Sequence, residues 1–216
     1  MFSFGPWRAA VRKILQKVIG RNKETPSMKL EKALLGSVKV FGKLTPSGVT
    51  IHYSADREVT RTVASLVQSG LGYHYLIGRN GTIYQLSNDT DALAHAGKAE
   101  WRGKSPNRNH VSICIMSWGK LAQKNGKFYS WSGVELPIEE VRLRDNEYWD
   151  KATEEQEAAL MDILEHYVKR GVLPEDICGH DECALPRGRK SDPGGVLLMD
   201  MALLRDLCQQ FSGISA

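Results

Sequence analysis

The sequence predicts an α/β fold, a mixed central β-sheet flanked by helices, and three observations carry it. β-rich runs over 49–54, 73–77, 82–86 and 111–116 alternate with stretches of helical period over 58–69, 153–168 and 196–211. Asn80-Gly81 sits between two of those runs and marks a hairpin, so the sheet cannot be all parallel. At 216 residues, 42% apolar and 25% charged, the chain has the make-up of one globular domain with appendages.

An amphipathic helix is expected over 5–20. Trp7, Val11, Ile14, Leu15 and Val18 share one face, Arg8, Arg12, Lys13 and Lys17 lie largely off it, and Gly20 and Asn22 end it. Such a helix either lies on an anionic membrane or envelope surface or docks on the domain with its basic face in water. The net charge of +4 is concentrated here, before the first acid, Glu24, and the remainder is close to neutral, so no nucleic-acid partner is expected. The basic residues also break up the first apolar stretch, and no apolar run reaches membrane-spanning length. Synthesis and residence in a reducing cytosol follow as the expectation, with Cys114, Cys178, Cys183 and Cys208 as free thiols. Residues 22–47, with Pro26, Gly36, Gly42 and Pro46, read as a linker or a segment wrapping the domain, carrying a peripheral strand over 34–41.

Along 49–54, Val49, Ile51 and Tyr53 face one way and Thr50, His52 and Ser54 the other, so His52 leaves its strand opposite the aliphatic side chains. The helix over 58–69 follows, closed by Gly70. Ala94-His95-Ala96-Gly97 is a loop of small residues, which let a backbone or a ligand approach. Asn109 stands at the head of the apolar run 111–116 and, with His95, is a candidate substrate contact. Residues 119–151 are polar and turn-rich and read as an inserted flap. Thr153 to Gln156 is a capping box, and the apolar stripe behind it ends at Gly171.

Chemistry concentrates in Gly179-His180-Asp181-Glu182-Cys183, followed by Arg189-Lys190-Ser191-Asp192-Pro193-Gly194. In an extended segment Lys190 and Asp192 point to one side. An imidazole and a carboxylate aimed at one point make two ligands for a zinc-like metal, and a lysine beside them supplies positive charge where an oxyanion would form. A third ligand must come from elsewhere. Cys178-x-His180-x-x-Cys183 offers a rival thiolate set. It would leave Asp192 and His52 without a partner.

Taken in order, His52 on a strand, Tyr73 after a glycine, the 94–97 loop, Gly179-His180 and Arg189 to Gly194 resemble the type-2 zinc amidases. These are N-acetylmuramoyl-L-alanine amidases that share a superfamily with phage endolysins, muropeptide-recycling amidases and peptidoglycan recognition proteins. The resemblance covers about 48–210 and implies a catalytic domain over 48–216, with 119–151 inserted and 1–47 as a basic helix and linker. It implies zinc held by His52, His180 and Asp192, with Lys190 and Tyr73 as catalytic residues. Members of the recycling type carry a glutamate where this chain has Met116, so the resemblance leans toward the phage members that use tyrosine and lysine. The implied activity is hydrolysis of the amide between the lactyl group of N-acetylmuramic acid and L-alanine, on the cell wall or on a released muropeptide, by a monomer. The alternative is a peptidoglycan-binding module without catalysis; the complete ligand set favours the enzyme. Arg189 is a candidate contact for the anionic substrate.

Overall fold

The computed structural model describes residues 30–212; the helix expected over 5–20, and any surface contact made through it, lie outside the described residues. In chain order the elements are β1 (Leu30–Glu31), β2 (Val40–Lys43), β3 (Gly48–Tyr53), α1 (Val59–Ser69), β4 (Tyr75–Ile77), β5 (Ile83–Gln85), β6 (Asp91–Leu93), α2 (Pro106–Asn109) and β7 (His110–Ile115). Then follow β8 (Lys120–Lys124), β9 (Lys127–Tyr129), β10 (Glu135–Leu136), β11 (Val141–Arg144), β12 (Glu147–Asp150), α3 (Glu154–Val168), β13 (Ile177–Gly179), α4 (His180–Cys183) and α5 (Met201–Ser212).

Six strands form one mixed sheet in the order β1-β5-β4-β7-β3-β13. β4, β7, β3 and β13 are parallel, and β5 turns back antiparallel to β4, as the Asn-Gly hairpin requires. The two faces of β3 part as the alternation predicts. Val49 and Ile51 join Val111, Ile113 and Ile115 beneath Leu160 and Leu164 of α3 and Leu204 and Phe211 of α5. On the other face Leu76, Cys114 and Met116 pack under Leu66 of α1.

Of the two readings of 22–47, linker or wrapping segment, the described part, 30–47, follows the second and is built onto the domain. β1 pairs with β5, and β2 pairs antiparallel with β6. The strand expected over 34–41 is instead a turn around Gly36 (φ +84°), with β2 only at Val40–Lys43. α3 starts where its capping box predicts: Thr153 Oγ1 accepts from Gln156 N at 3.1 Å, and Gln156 Oε1 accepts from Thr153 N at 3.1 Å. α5 begins at Met201, later than the expected 196. Asp200 Oδ1 accepts from Leu203 N at 2.8 Å and so caps the helix there, after a short 3-10 turn at Gly194–Val196.

The flap is a sheet of its own. Its five strands run β10-β9-β8-β12-β11, all antiparallel, over a small core of Trp118, Leu121, Phe128 and Leu136. Two tight turns set its register. Asn125 and Gly126 (φ 52° and 74°) join Lys124 to Lys127, and Asp145 and Asn146 (φ 52° and 60°) join Arg144 to Glu147. Positive φ at both central residues is the hairpin turn that suits twisted strands. The flap is clamped to the domain by buried Asp150, which accepts from Arg57 Nε at 2.9 Å and from Trp118 N at 2.7 Å.

His110, at the start of β7, is buried and bonded to Thr50 Oγ1 at 2.9 Å. Burial, with Lys104 nearby, pushes its imidazole down to about 4. Above pH ~6.5 neither folded nor unfolded chain binds this proton; below that, the unfolded chain takes it and the folded chain refuses it until about pH 4. Stability is therefore expected to fall as pH drops through that window, by at most on the order of 3 kcal/mol from this group. Urea midpoints measured across the window will show a shallower pH slope in His110→Gln than in the parent chain.

Candidate active site

Parallel pairing of β13 with β3 sets Gly179 opposite Ile51, so His52 and His180 emerge side by side from neighbouring strands. Asp192 comes back to them on a loop whose own carbonyl accepts from Asp181 N at 2.7 Å. His52 Nδ1 and His180 Nδ1 stand 3.1 Å apart, each 2.9 Å from Asp192 Oδ2.

The outer bonds of the two rings settle which nitrogens carry protons. His180 Nε2 faces the Ala96 carbonyl at 3.0 Å, and His95 Nε2 faces the Pro106 carbonyl at 3.2 Å. Carbonyls only accept, so both nitrogens donate. Burial first, then neighbouring His52, holds the His95 imidazole well below its ordinary range, so it is neutral and its Nδ1 accepts from His52 Nε2 at 3.1 Å. Burial likewise lowers His52. In the neutral tautomer these outer bonds select, the Nδ1 of His52 and that of His180 each turn a lone pair toward Asp192.

Two lone pairs and a carboxylate oxygen at these separations repel unless a cation lies among them. The three donors lie within 4.8 Å of one another, and among the described residues theirs is the group that could hold a metal ion. Ligands about 2.0 Å from a tetrahedral zinc stand about 3.3 Å apart, so the nitrogen–oxygen–nitrogen triangle fits such an ion with a slight expansion. The donated Nε2 protons are the outer bonds that orient metal-binding imidazoles. The thiolate alternative is not assembled: the Cys178 thiol lies buried by Thr50 Oγ1 at 3.6 Å and His110 Nδ1 at 3.8 Å.

Around the cradle, the Tyr73 ring lies 4.8 Å from the His52 ring, centroid to centroid. Burial raises its phenol well above the ordinary value, so it stays protonated, a donor and not a phenolate. Lys190 is exposed, and its ammonium is close enough to disfavour charge on His52. Met116 lies fully buried in the core, with no carboxylate at that position.

Three expected substrate contacts are placed differently. His95 is 5% exposed and stands behind His52, with both ring nitrogens engaged. Arg189 spends its guanidinium on backbone carbonyls, Leu185 at 2.9 Å, Ala96 at 3.1 Å and Lys98 at 2.9 Å, and so ties its own loop to 94–98. Asn109 donates to Ser105 O at 3.0 Å within its own turn, at the end of β7 opposite Cys114, the residue that pairs with His52. The residue that shapes the 94–97 loop is Asn107, which sequence reasoning passed over. Its Oδ1 accepts from His95 N at 3.0 Å and Ala96 N at 2.8 Å, and its Nδ2 donates to Gly97 O at 2.8 Å.

The flap reaches the site from below. Arg142 Nη1 donates to Val196 O at 2.9 Å, and Arg144 reaches the Leu198 carbonyl. The Trp149 indole lies against Gly194 and Gly195; a Cβ on Gly195 would fall 2.3 Å from Trp149 Cδ1. Only glycine lets the chain after Asp192-Pro193 lie this close to the ring.

A mixed α/β sheet with two imidazoles and a carboxylate converging at the ends of neighbouring strands defines the class: an α/β domain with a candidate metal centre. The N-acetylmuramoyl-L-alanine amidase family matches residues 42–195, more than half of the chain, and the chain belongs to that family. A Rickettsia conorii protein described as a candidate N-acetylmuramoyl-L-alanine amidase is 35% identical over 77 residues, which span 35% of this chain and 29% of that protein. Among solved structures, AmpDh3 of Pseudomonas aeruginosa, in complex with an anhydromuramic pentapeptide, superposes with a TM-score of 0.55 at 22% identity, over 82% of this chain and 62% of its own. AmiD of E. coli, in complex with anhydro-N-acetylmuramic acid-L-Ala-D-gamma-Glu-L-Lys, gives 0.54 at 24% identity, over 86% of this chain and 61% of its own. The chain thus spans about three fifths of the length of either. The endolysin LysCS of Clostridium intestinale gives 0.55 at 12% identity, over 86% and 97%. These likenesses show the fold.

Proposed function

We propose that the chain is a zinc-dependent N-acetylmuramoyl-L-alanine amidase, cleaving the amide between the lactyl group of N-acetylmuramic acid and the L-alanine of the stem peptide. The observation that carries this reading is the convergence of His52 Nδ1, His180 Nδ1 and the Asp192 carboxylate, with both Nε2 atoms engaged on the far side of the rings. The muropeptides held by AmpDh3 and AmiD, on the same fold, support the substrate class. Zinc, when bound, supplies a Lewis acid and a water ionised near neutral pH. His52, His180 and Asp192 hold it. Lys190 presents its ammonium to the oxygen that gains charge as the amide carbon becomes tetrahedral. Tyr73, kept protonated by burial, donates a hydrogen bond to the same region. Met116 offers no base, so proton transfer to the leaving amine falls to Lys190, Tyr73 or solvent.

The test is incubation of the zinc-loaded chain with purified sacculi and, separately, with a soluble anhydromuropeptide. Peptides with a free L-alanine amino terminus, detected by mass spectrometry, are the expected product. Binding to sacculi with no such peptide from either substrate would make the chain a recognition module. The relative turnover of the two substrates distinguishes a wall-degrading from a recycling enzyme.

A further inference from the structure

Trp131 stands between β9 and β10 and is 73% exposed, the most exposed of the large apolar side chains described. It is no part of the flap's own core, which is built on Trp118, Leu121, Phe128 and Leu136. Yet its indole is fixed: Nε1–H donates to the Ala55 carbonyl at 2.7 Å. Ala55 is three residues beyond His52, so their Cα atoms lie within about 11 Å even on an extended chain. That anchor point is itself rigid. Ser54 N donates to Ile115 O at 3.1 Å, and Asp56 bridges to Ser117. A single bond through the ring edge sets the indole's direction and leaves its apolar surface in water, where burial in the flap core would have hidden it. An aromatic face held out in water, tied to the chain three residues beyond a cradle histidine, is available to an apolar surface that arrives with the substrate.

We propose that Trp131 is a saccharide-stacking platform, taking a pyranose ring of the glycan strand next to the muramic acid whose stem peptide lies in the cradle. One face of a pyranose presents C–H groups, apolar and slightly positive, which match the negative face of an indole. The inference rests on the amidase reading and adds a subsite to it. The flap thereby reads the length of the glycan, while the cradle reads the lactyl amide.

Two measurements test it, on the full chain and on Trp131→Ala, with Trp131→Phe as a second variant and melting temperature as the check on folding. The first compares turnover of glycan strands several saccharides long with turnover of a single-sugar anhydromuropeptide. Trp131→Ala should raise KM for the long strand by about tenfold, the scale of one aromatic stacking contact. It should leave kcat, and both constants for the single-sugar substrate, unchanged; Trp131→Phe should restore part of the loss. The second is binding of chitotetraose to metal-depleted protein, read by tryptophan fluorescence, which needs no hydrolysis. The parent chain should bind it and Trp131→Ala should not. If the parent cleaves both substrates while the variant matches it in every KM, or if the variant loses equally on both, the platform is overturned. So is it if the parent chain does not bind chitotetraose. If the parent cleaves neither substrate but binds chitotetraose through Trp131, the amidase reading fails and the saccharide site stands.

Discussion

Asp192→Ala is expected to leave the chain folded but nearly free of zinc, and to lower amide turnover on the order of 10⁴-fold. Several kcal/mol of charge stabilisation goes with the ion, at about 1.4 kcal/mol per decade. The carboxylate is the one anionic donor of the three. Without it, two neutral imidazoles face each other at 3.1 Å, a weak pair for a divalent ion. The fold should survive because the loop's main chain holds independently, through Asp192 O to Asp181 N at 2.7 Å and through the flap arginines. Metal analysis after dialysis, set beside a melting curve, separates the two effects. Chelator treatment of the parent chain should reproduce the loss, and added zinc should reverse it in the parent but not in the variant. A variant that retains one zinc per chain and full turnover would remove Asp192 from the ligand set.

Lys190→Ala is expected to cost on the order of 100- to 1000-fold in kcat, the scale of one lost oxyanion donor, while zinc stays near one per chain. Lys190 is exposed, so its removal leaves no buried partner stranded and the melting temperature should hold. Its ammonium already bears on His52, so the effect is electrostatic. Lys190→Arg keeps the charge but presents it through a broad planar fork, and should recover only part of the rate. The decisive comparison is kcat against KM. A change confined to KM would assign the ammonium to holding substrate carboxylates and not to the reacting carbonyl.

The cradle was legible in part because some of its members obey simple periods. Strand alternation put His52 opposite the aliphatic side chains and a two-residue spacing paired Lys190 with Asp192; the family resemblance joined His52 to His180 and Asp192, since the strand before His180 is too short to show an alternation. The bonds that Arg189, His95 and Asn109 make within the chain were not legible, for a common reason. Their partners are backbone carbonyls, of Leu185, Ala96, Lys98, Pro106 and Ser105, and a carbonyl leaves no mark in the sequence. Asn107 was hidden in the same way, since it bonds only to main-chain atoms of the 94–97 loop. The flap carried signals that were available. Asn125-Gly126 and Asp145-Asn146 are hairpin turns in plain sight, but β8 buries only Leu121, so the alternation that marks a strand is faint there. The delayed start of α5 also had a visible cause, the capping carboxylate of Asp200.

Because Trp149 and the two arginines of β11 bear on the chain just after Asp192, the flap and the metal cradle cannot evolve as strangers. A graft that exchanged 119–150 for a short turn would be meant to alter what the domain recognises. Its first casualty would instead be the ion's grip, as the loop beyond the third ligand lost the surface it rests on. A redesign of this appendage would have to keep an indole at its base, or rebuild the Pro-Gly-Gly corner in the same step.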